Sequence, residues 1–233
     1  MVFYYFYGCI KMHCILKKTR LLFIRPLLYF GVIVVLSLLY NCSQPEEIER
    51  LQAREKKENY LIEGSIFTVS YNEIFQQPNW ITYQVRDIVK VADRGNRDFY
   101  EVDSVYTSND ADYYANPWDK GHMAPAAAFT DSVENLHETF SYLNCALQRD
   151  DLNRGEWAYL ETQVREWAKT FGTLEVRIDV LFDQGHEVLP TGAHIPTGFL
   201  KTITFPDNQQ HCFYFSNEPP EQEWEEQEVD CSG

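Results

Sequence analysis

The hydrophobic rhythm of the chain changes twice before a folded domain begins. Residues 27–40 form an uncharged apolar run, and residues 43–59 are polar and rich in Glu, Lys and Arg. From about Tyr60 onward, short clusters of β-branched and aromatic residues alternate with turn signals. The clusters at 65–71, 80–89, 99–106, 174–182, 199–205 and 211–215 predict strands. Residues 132–140 predict a short helix. Between 153 and 171, Trp157, Leu160, Val164, Trp167, Ala168 and Phe171 recur at helical spacing, and Gly172 supplies a stop, so one long helix is expected there. Strands, then helix, then strands indicate an α+β domain built on an antiparallel sheet. The expected organisation is an N-terminal segment 1–41, a polar tether 42–59, a domain 60–217 and a solvated acidic tail 218–233.

The apolar run is shorter than the ~20 residues that span a bilayer and suits the h-region of a signal segment. Lys11, Lys17, Lys18, Arg20 and Arg25 precede it, with no acid before Cys42. A Cys directly after such a run resembles a lipoprotein processing site; an uncleaved signal anchor is the alternative. Both predict export, with the chain held at a membrane by an N-terminal lipid or anchor, or released outside the cell or into a periplasm. Cys145, Cys212 and Cys231 then allow at most one intrachain disulfide, and the spacing leaves the pair open. No Cys/His zinc spacing occurs.

At 45% hydrophobic and 15% aromatic residues, the chain can bury a core, which excludes global disorder. Its net charge of −15 argues against a broad nucleic-acid-binding surface, because such surfaces neutralise phosphates. Seven of the acids lie in 218–233, which holds no base, so a local cationic site remains compatible with the composition.

Candidate chemistry lies in two places. Asn153, Trp157, Glu161 and Arg165 are spaced by four and would drift along one side of a single helix. Taken alone, that pattern is more simply an N-cap and a solvated Glu–Arg pair. His122 follows Asp119, Lys120 and Gly121 and precedes a run of small residues. An imidazole with an ordinary pKa of about 6.5 suits a general base, and glycine allows close backbone approach.

Residues 119–129 (DKGHMAPAAAF) resemble the D-R-G-H-x-A-P-A-A signature of the DNA/RNA non-specific endonucleases, the endonuclease G-like ββα-metal nucleases. Residues 138–168 (ETFSYLNCALQRDDLNRGEWAYLETQVREWA) are similar to the stretch that follows it in that family. FYEVD at 99–103, DADYY at 110–114 and AHIPTGFLKTI at 193–203 match flanking segments. The resemblance covers residues 60–217. It implies an α+β fold with a ββα-metal motif and one long active-site helix. It implies His122 as general base and Asn153 as the single protein ligand of Mg²⁺, for which Mn²⁺ could substitute. Glu161 would hold metal-bound water, Arg165 would lie near the scissile phosphate, and Asn144 would support the site. Asp119 is the motif acid, and Lys120 stands where the family has Arg. The implied reaction is hydrolysis of DNA and RNA to 5′-phosphate and 3′-hydroxyl ends.

Three departures are visible, one of them Asp183-Gln184-Gly185, which stands where the family usually has a Gly-Pro turn. Lys120 lacks the planar fork that suits phosphate oxygens, so reduced activity is expected, with Lys120→Arg raising it. Leu147-Gln148 stands where the family has Pro-Gln. A catalytically weak or inactive binding protein on the nuclease fold is the alternative.

Overall fold

The computed structural model describes residues 55–231. The expected signal segment, Cys42 and most of the tether lie outside the described residues. Twelve main elements follow in order: β1 Tyr60–Glu63, β2 Phe67–Asn72, β3 Gln77–Val85, β4 Trp118–His122, α1 Val133–Glu138, β5 Cys145–Arg149, α2 Asp150–Arg154, α3 Glu156–Phe171, β6 Leu174–Leu181, β7 Gly198–Thr204, β8 Gln210–Ser216 and β9 Glu228–Val229. Seven strands form one sheet in the order β1-β2-β3-β6-β7-β8-β9, every pairing antiparallel. β4 and β5 form a separate antiparallel ribbon.

Strand alternation explains where the core sits. Val69 and Tyr71, Ile81 and Tyr83, Val176 and Ile178, Phe199 and Ile203, and Phe213 and Phe215 occupy alternate positions and are buried. Together they form the apolar face of the sheet. Trp157, Leu160, Val164 and Ala168 give α3 its matching stripe. Trp157 lies with its ring centroid 5.4 Å from that of Phe199 and 5.6 Å from that of Phe215, so the N-terminal half of α3 is seated on β7 and β8.

The ribbon is tied to the sheet by side-chain amides. Leu147 N–H donates to Gln77 Oε1 at 2.9 Å, Arg149 N–H donates to Asn217 Oδ1 at 2.8 Å, and Asn217 Nδ2 donates to the Leu147 carbonyl at 2.9 Å. These bonds satisfy the edge of β5 that β4 leaves unpaired. They also account for Leu147, since a proline there would have no N–H to give Gln77. Gly121 pairs with Ala146 across the ribbon. A Cβ on Gly121 would come within 2.4 Å of Gln148 Oε1 and 2.6 Å of its Cβ, so the glycine is required by the side chain beside it.

Three expectations need correction. Residues 99–106 are not a strand: Tyr100 alone forms a bridge, to Ser141, and the rest is turn and loop. The expected single helix from Asn153 is two helices. Gly155 takes φ −106°, ψ −115° between α2 and α3, outside the helical region. A Cβ there would meet the Asp151 carbonyl at 2.7 Å. The acidic segment after 217 is docked. Trp224 packs on Trp167 and Phe213, β9 pairs with β8, and Cys212 is disulfide-bonded to Cys231. Cys145 is a buried free thiol. Because the disulfide closes a loop of 19 residues, Cys231→Ser is expected to cost about 3 kcal/mol of stability, read as a shift in the urea midpoint that reductant reproduces in the parent protein.

Candidate active site

β4 places its residues alternately on two faces. Asp119 lies toward α2, where its Oδ2 accepts from Asn153 Nδ2 at 2.9 Å and from Arg154 Nε at 2.8 Å, and its Oδ1 accepts from Arg154 NH2 at 2.6 Å. A carboxylate can only accept, so it fixes which end of the Asn153 amide faces it. The amide nitrogen is engaged and the amide oxygen is left over as a donor atom for a cation. Asp119 is therefore a positioning residue for Asn153.

His122 lies in an aromatic slot. Its ring centroid is 4.5 Å from that of Phe99 and 4.9 Å from that of Phe140, the latter edge-on. Nε2 is sealed from solvent without a hydrogen-bond partner; Nδ1 is not sealed. Burial, and secondarily the charge of Arg94, lower the imidazole pKa to about 3. The ring is thus neutral, with a lone pair available at neutral pH. Arg94 also stands 5.3 Å from the Phe140 ring centroid. The sequence reading missed this exposed cation beside His122, although it lies only five residues before Phe99, where the FYEVD segment begins.

Asn144 is fully buried. Its Nδ2 donates to the Ala124 and Thr139 carbonyls, and its Oδ1 accepts from Ala124 N–H at 2.6 Å. With its amide committed to backbone it has nothing to offer a substrate. It fixes the exit of β4 just after His122, which makes it a positioning residue rather than a catalytic one.

Lys120 is employed differently from the expectation. Its Nζ is 2.7 Å from Asp98 Oδ1 and 2.6 Å from Asp110 Oδ1, and Asp110 also accepts from Tyr142 Oη. The Lys120 hydrogen bonds are the leading cause that holds both carboxyls below the usual range. The ammonium ties residues 98 and 110 to the ribbon and is already neutralised. Lys120→Arg is therefore not expected to raise the cleavage rate. Lys120→Met should cost on the order of 1 kcal/mol, because both acids are largely exposed and such pairs are weak; a cleavage assay of Lys120→Arg and denaturation of Lys120→Met check the two statements.

Glu161 and Arg165 lie one turn apart on α3. Glu161 Oε1 is sealed without a hydrogen-bond partner. Burial raises its pKa, while the charges of Lys201 and then Arg165 oppose the shift. The break at Gly155 removes the helical-face argument that joined Asn153 to Glu161, since the two now sit on separate helices. Among the described residues His122 makes no hydrogen bond or ion pair with either. A cavity of about 650 Å³, lined by Thr68, Thr82, Arg177 and Thr202 among others, contains none of these residues.

The uncommitted amide oxygen of Asn153 is a hard donor that fits Mg²⁺, which keeps most of its waters and takes few protein ligands.

Residues 44–232 match the family model described as DNA/RNA non-specific endonuclease. The chain is 29% identical over 195 residues to a nuclease of Syncephalastrum racemosum, covering 72% of this chain and 61% of that protein. It is 29% identical over 171 residues to nuclease C1 of Cunninghamella echinulata var. echinulata, covering 66% and 68%. It is 35% identical over 109 residues to mitochondrial endonuclease G of Bos taurus, covering 44% and 36%. The chain thus spans about two thirds or less of these relatives' lengths. Among solved structures, a chain of the EndoG/EndoGI complex superposes with a TM-score of 0.67 at 23% identity, covering 79% of this chain and 86% of that one. That likeness establishes the shared fold.

Proposed function

The chain belongs to the DNA/RNA non-specific endonuclease family, and from that premise we propose that it hydrolyses internal phosphodiester bonds of DNA and RNA in a Mg²⁺-dependent reaction, leaving 5′-phosphate ends. The observation that carries the reading is the ββα unit. In it the signature strand presents a neutral His122 while Asp119, on the same strand, holds the Asn153 amide with its oxygen uncommitted.

His122 takes a proton from the attacking water, with Nδ1 as the accepting atom because Nε2 is sealed. Asn153 would hold Mg²⁺ through its amide oxygen, and Glu161 would orient the ion's water shell. When bound, the ion supplies positive charge to the phosphate and the departing 3′ oxygen. Arg165 and Arg94 add cationic charge where the phosphate oxygens gain negative charge. Water is the nucleophile and no 2′-hydroxyl is needed, so neither sugar is excluded. Supercoiled plasmid and labelled RNA incubated with the purified protein, with Mg²⁺, with Mn²⁺ or with EDTA, test the reading. No metal-dependent cleavage of either polymer between pH 6 and 9 would sink it and favour a binding protein.

The His122 environment fixes a pH dependence. The folded pKa lies near 3, below the ordinary 6.5, so the folded state resists protonation that the unfolded chain accepts. Stability from the neutral ring is complete above about pH 6.5 and is lost as pH falls from there toward 3. The acid limb of kcat/KM, which reports the free enzyme, is expected below pH 6.5. A limb at or above 6.5 would remove the buried-imidazole account.

Export is part of the same proposal. The apolar run at 27–40 followed by Cys42 supports it, and so does the Cys212–Cys231 bridge, since disulfides persist in oxidising compartments. Cell fractionation, with acyl labelling of the parent protein and of Cys42→Ser, distinguishes a lipid-anchored chain from an unlipidated one.

A further inference from the structure

β7 carries a lysine where the sheet has its apolar face. Phe199, Lys201 and Ile203 alternate toward α3, and Lys201 is 1% exposed. Its Nζ lies 3.5 Å from the Trp157 ring centroid and, among the described residues, makes no hydrogen bond and has no carboxylate oxygen within 4.0 Å. Trp157 Nε1 and Glu161 Oε1 are likewise sealed from solvent without ordinary hydrogen-bond partners. Trp157 and Glu161 are one helical turn apart, so two buried donors and one buried acceptor are gathered beneath the same turn of α3.

Buried polar atoms are normally satisfied, and a buried charge is retained only when another charge compensates it. A cation over an indole ring recovers part of the cost of desolvation. Part of the rest is met by Glu161, whose charge opposes the burial of Lys201 as the Lys201 charge does for Glu161; Arg165 also acts on both, and burial still outweighs the pairing, lowering the Lys201 pKa to about 8 and raising that of Glu161. Replacing only one member of such a couple is strongly destabilising, whereas an apolar or neutral pair is tolerated.

We propose, resting on the nuclease reading above, that Lys201 is the positioning residue for Glu161: buried beneath the α3 turn that carries Trp157 and Glu161, its ammonium directs the Glu161 carboxylate toward the reaction site. Lys201 touches neither substrate nor metal in this account. It acts through Glu161, and Trp157 holds it in place.

Two measurements test the proposal separately from the activity. The first is an unfolding cycle of the metal-free protein with Lys201→Met, Glu161→Gln and the double variant. Lys201→Met should lower the urea midpoint, and adding Glu161→Gln should restore most of the loss, because the stranded carboxylate is then neutral. Additive losses would overturn the coupling whether or not the protein cleaves DNA. The second is the cleavage rate of Lys201→Met that retains the parent circular dichroism. It should fall by ~10-fold or more, through kcat rather than KM. A folded Lys201→Met with the parent kcat would overturn the positioning role. An inactive parent protein with intact coupling in the unfolding cycle would overturn the nuclease reading and leave the pair standing.

Discussion

On the proposed mechanism, His122→Ala is expected to lower the rate of plasmid cleavage by ~10³-fold, within the range that a positioned general base contributes, without abolishing Mg²⁺ binding. The separation of the two effects follows from strand alternation. The His122 ring sits in the slot of Phe99 and Phe140, whereas Asp119 addresses α2 from the opposite face of β4. Alanine removes the only ring nitrogen that can accept the proton and leaves the Asn153 amide where Asp119 put it. Some loss of stability accompanies the empty slot, so the comparison is made well below the variant's Tm. A folded variant within tenfold of the parent rate would remove His122 from its role.

Asn153→Ala is expected to lower the rate by between ~10² and ~10³-fold, the scale for losing a group that places charge at the transition state, and to raise the Mg²⁺ concentration needed for half-maximal activity. Asp119→Ala should show a milder form of the same defect, with ~10- to ~100-fold weaker metal affinity, because it frees the amide without deleting it. Calorimetric Mg²⁺ titration and metal dependence of the rate check both variants. Unchanged metal dependence in Asn153→Ala would transfer the cation to another site.

Much of the domain is legible because alternation and helical spacing coincide with burial. Leu174 to Val180 alternate as expected on β6, and Trp157, Leu160, Val164 and Ala168 mark the buried stripe of α3. The break at Gly155 is not legible from spacing. Asn153, Trp157 and Glu161 keep a four-residue spacing across it, and a glycine inside a helix costs only about 1 kcal/mol, so nothing local demands a stop. Acidic composition disguises residues 218–231, since docking depends on Trp224 and Cys231 rather than on the charged majority. Residues 99–106 have strand-like composition, but their aromatic Phe99 and Tyr100 serve the His122 slot and the Ser141 bridge instead of a ladder. Lys201 could have been found. It lies two residues after Phe199 and two before Ile203, and that parity points it inward, yet a lone lysine in a strand ordinarily reads as surface.

The glycine at 155 has a consequence for how such a protein can change over generations. Asn153 is carried by α2 and tied to the ribbon through Asp119, whereas Glu161 is carried by a helix seated on the large sheet. A helix continuous from Asp150 to Phe171 would transmit substitutions in the sheet to Asn153, the residue proposed to hold the metal. The joint absorbs such tilts in a single residue, so the two halves of the machinery are free to drift at different rates. Variation that retunes contacts around Glu161 can then accumulate without each step being vetoed by lost metal affinity.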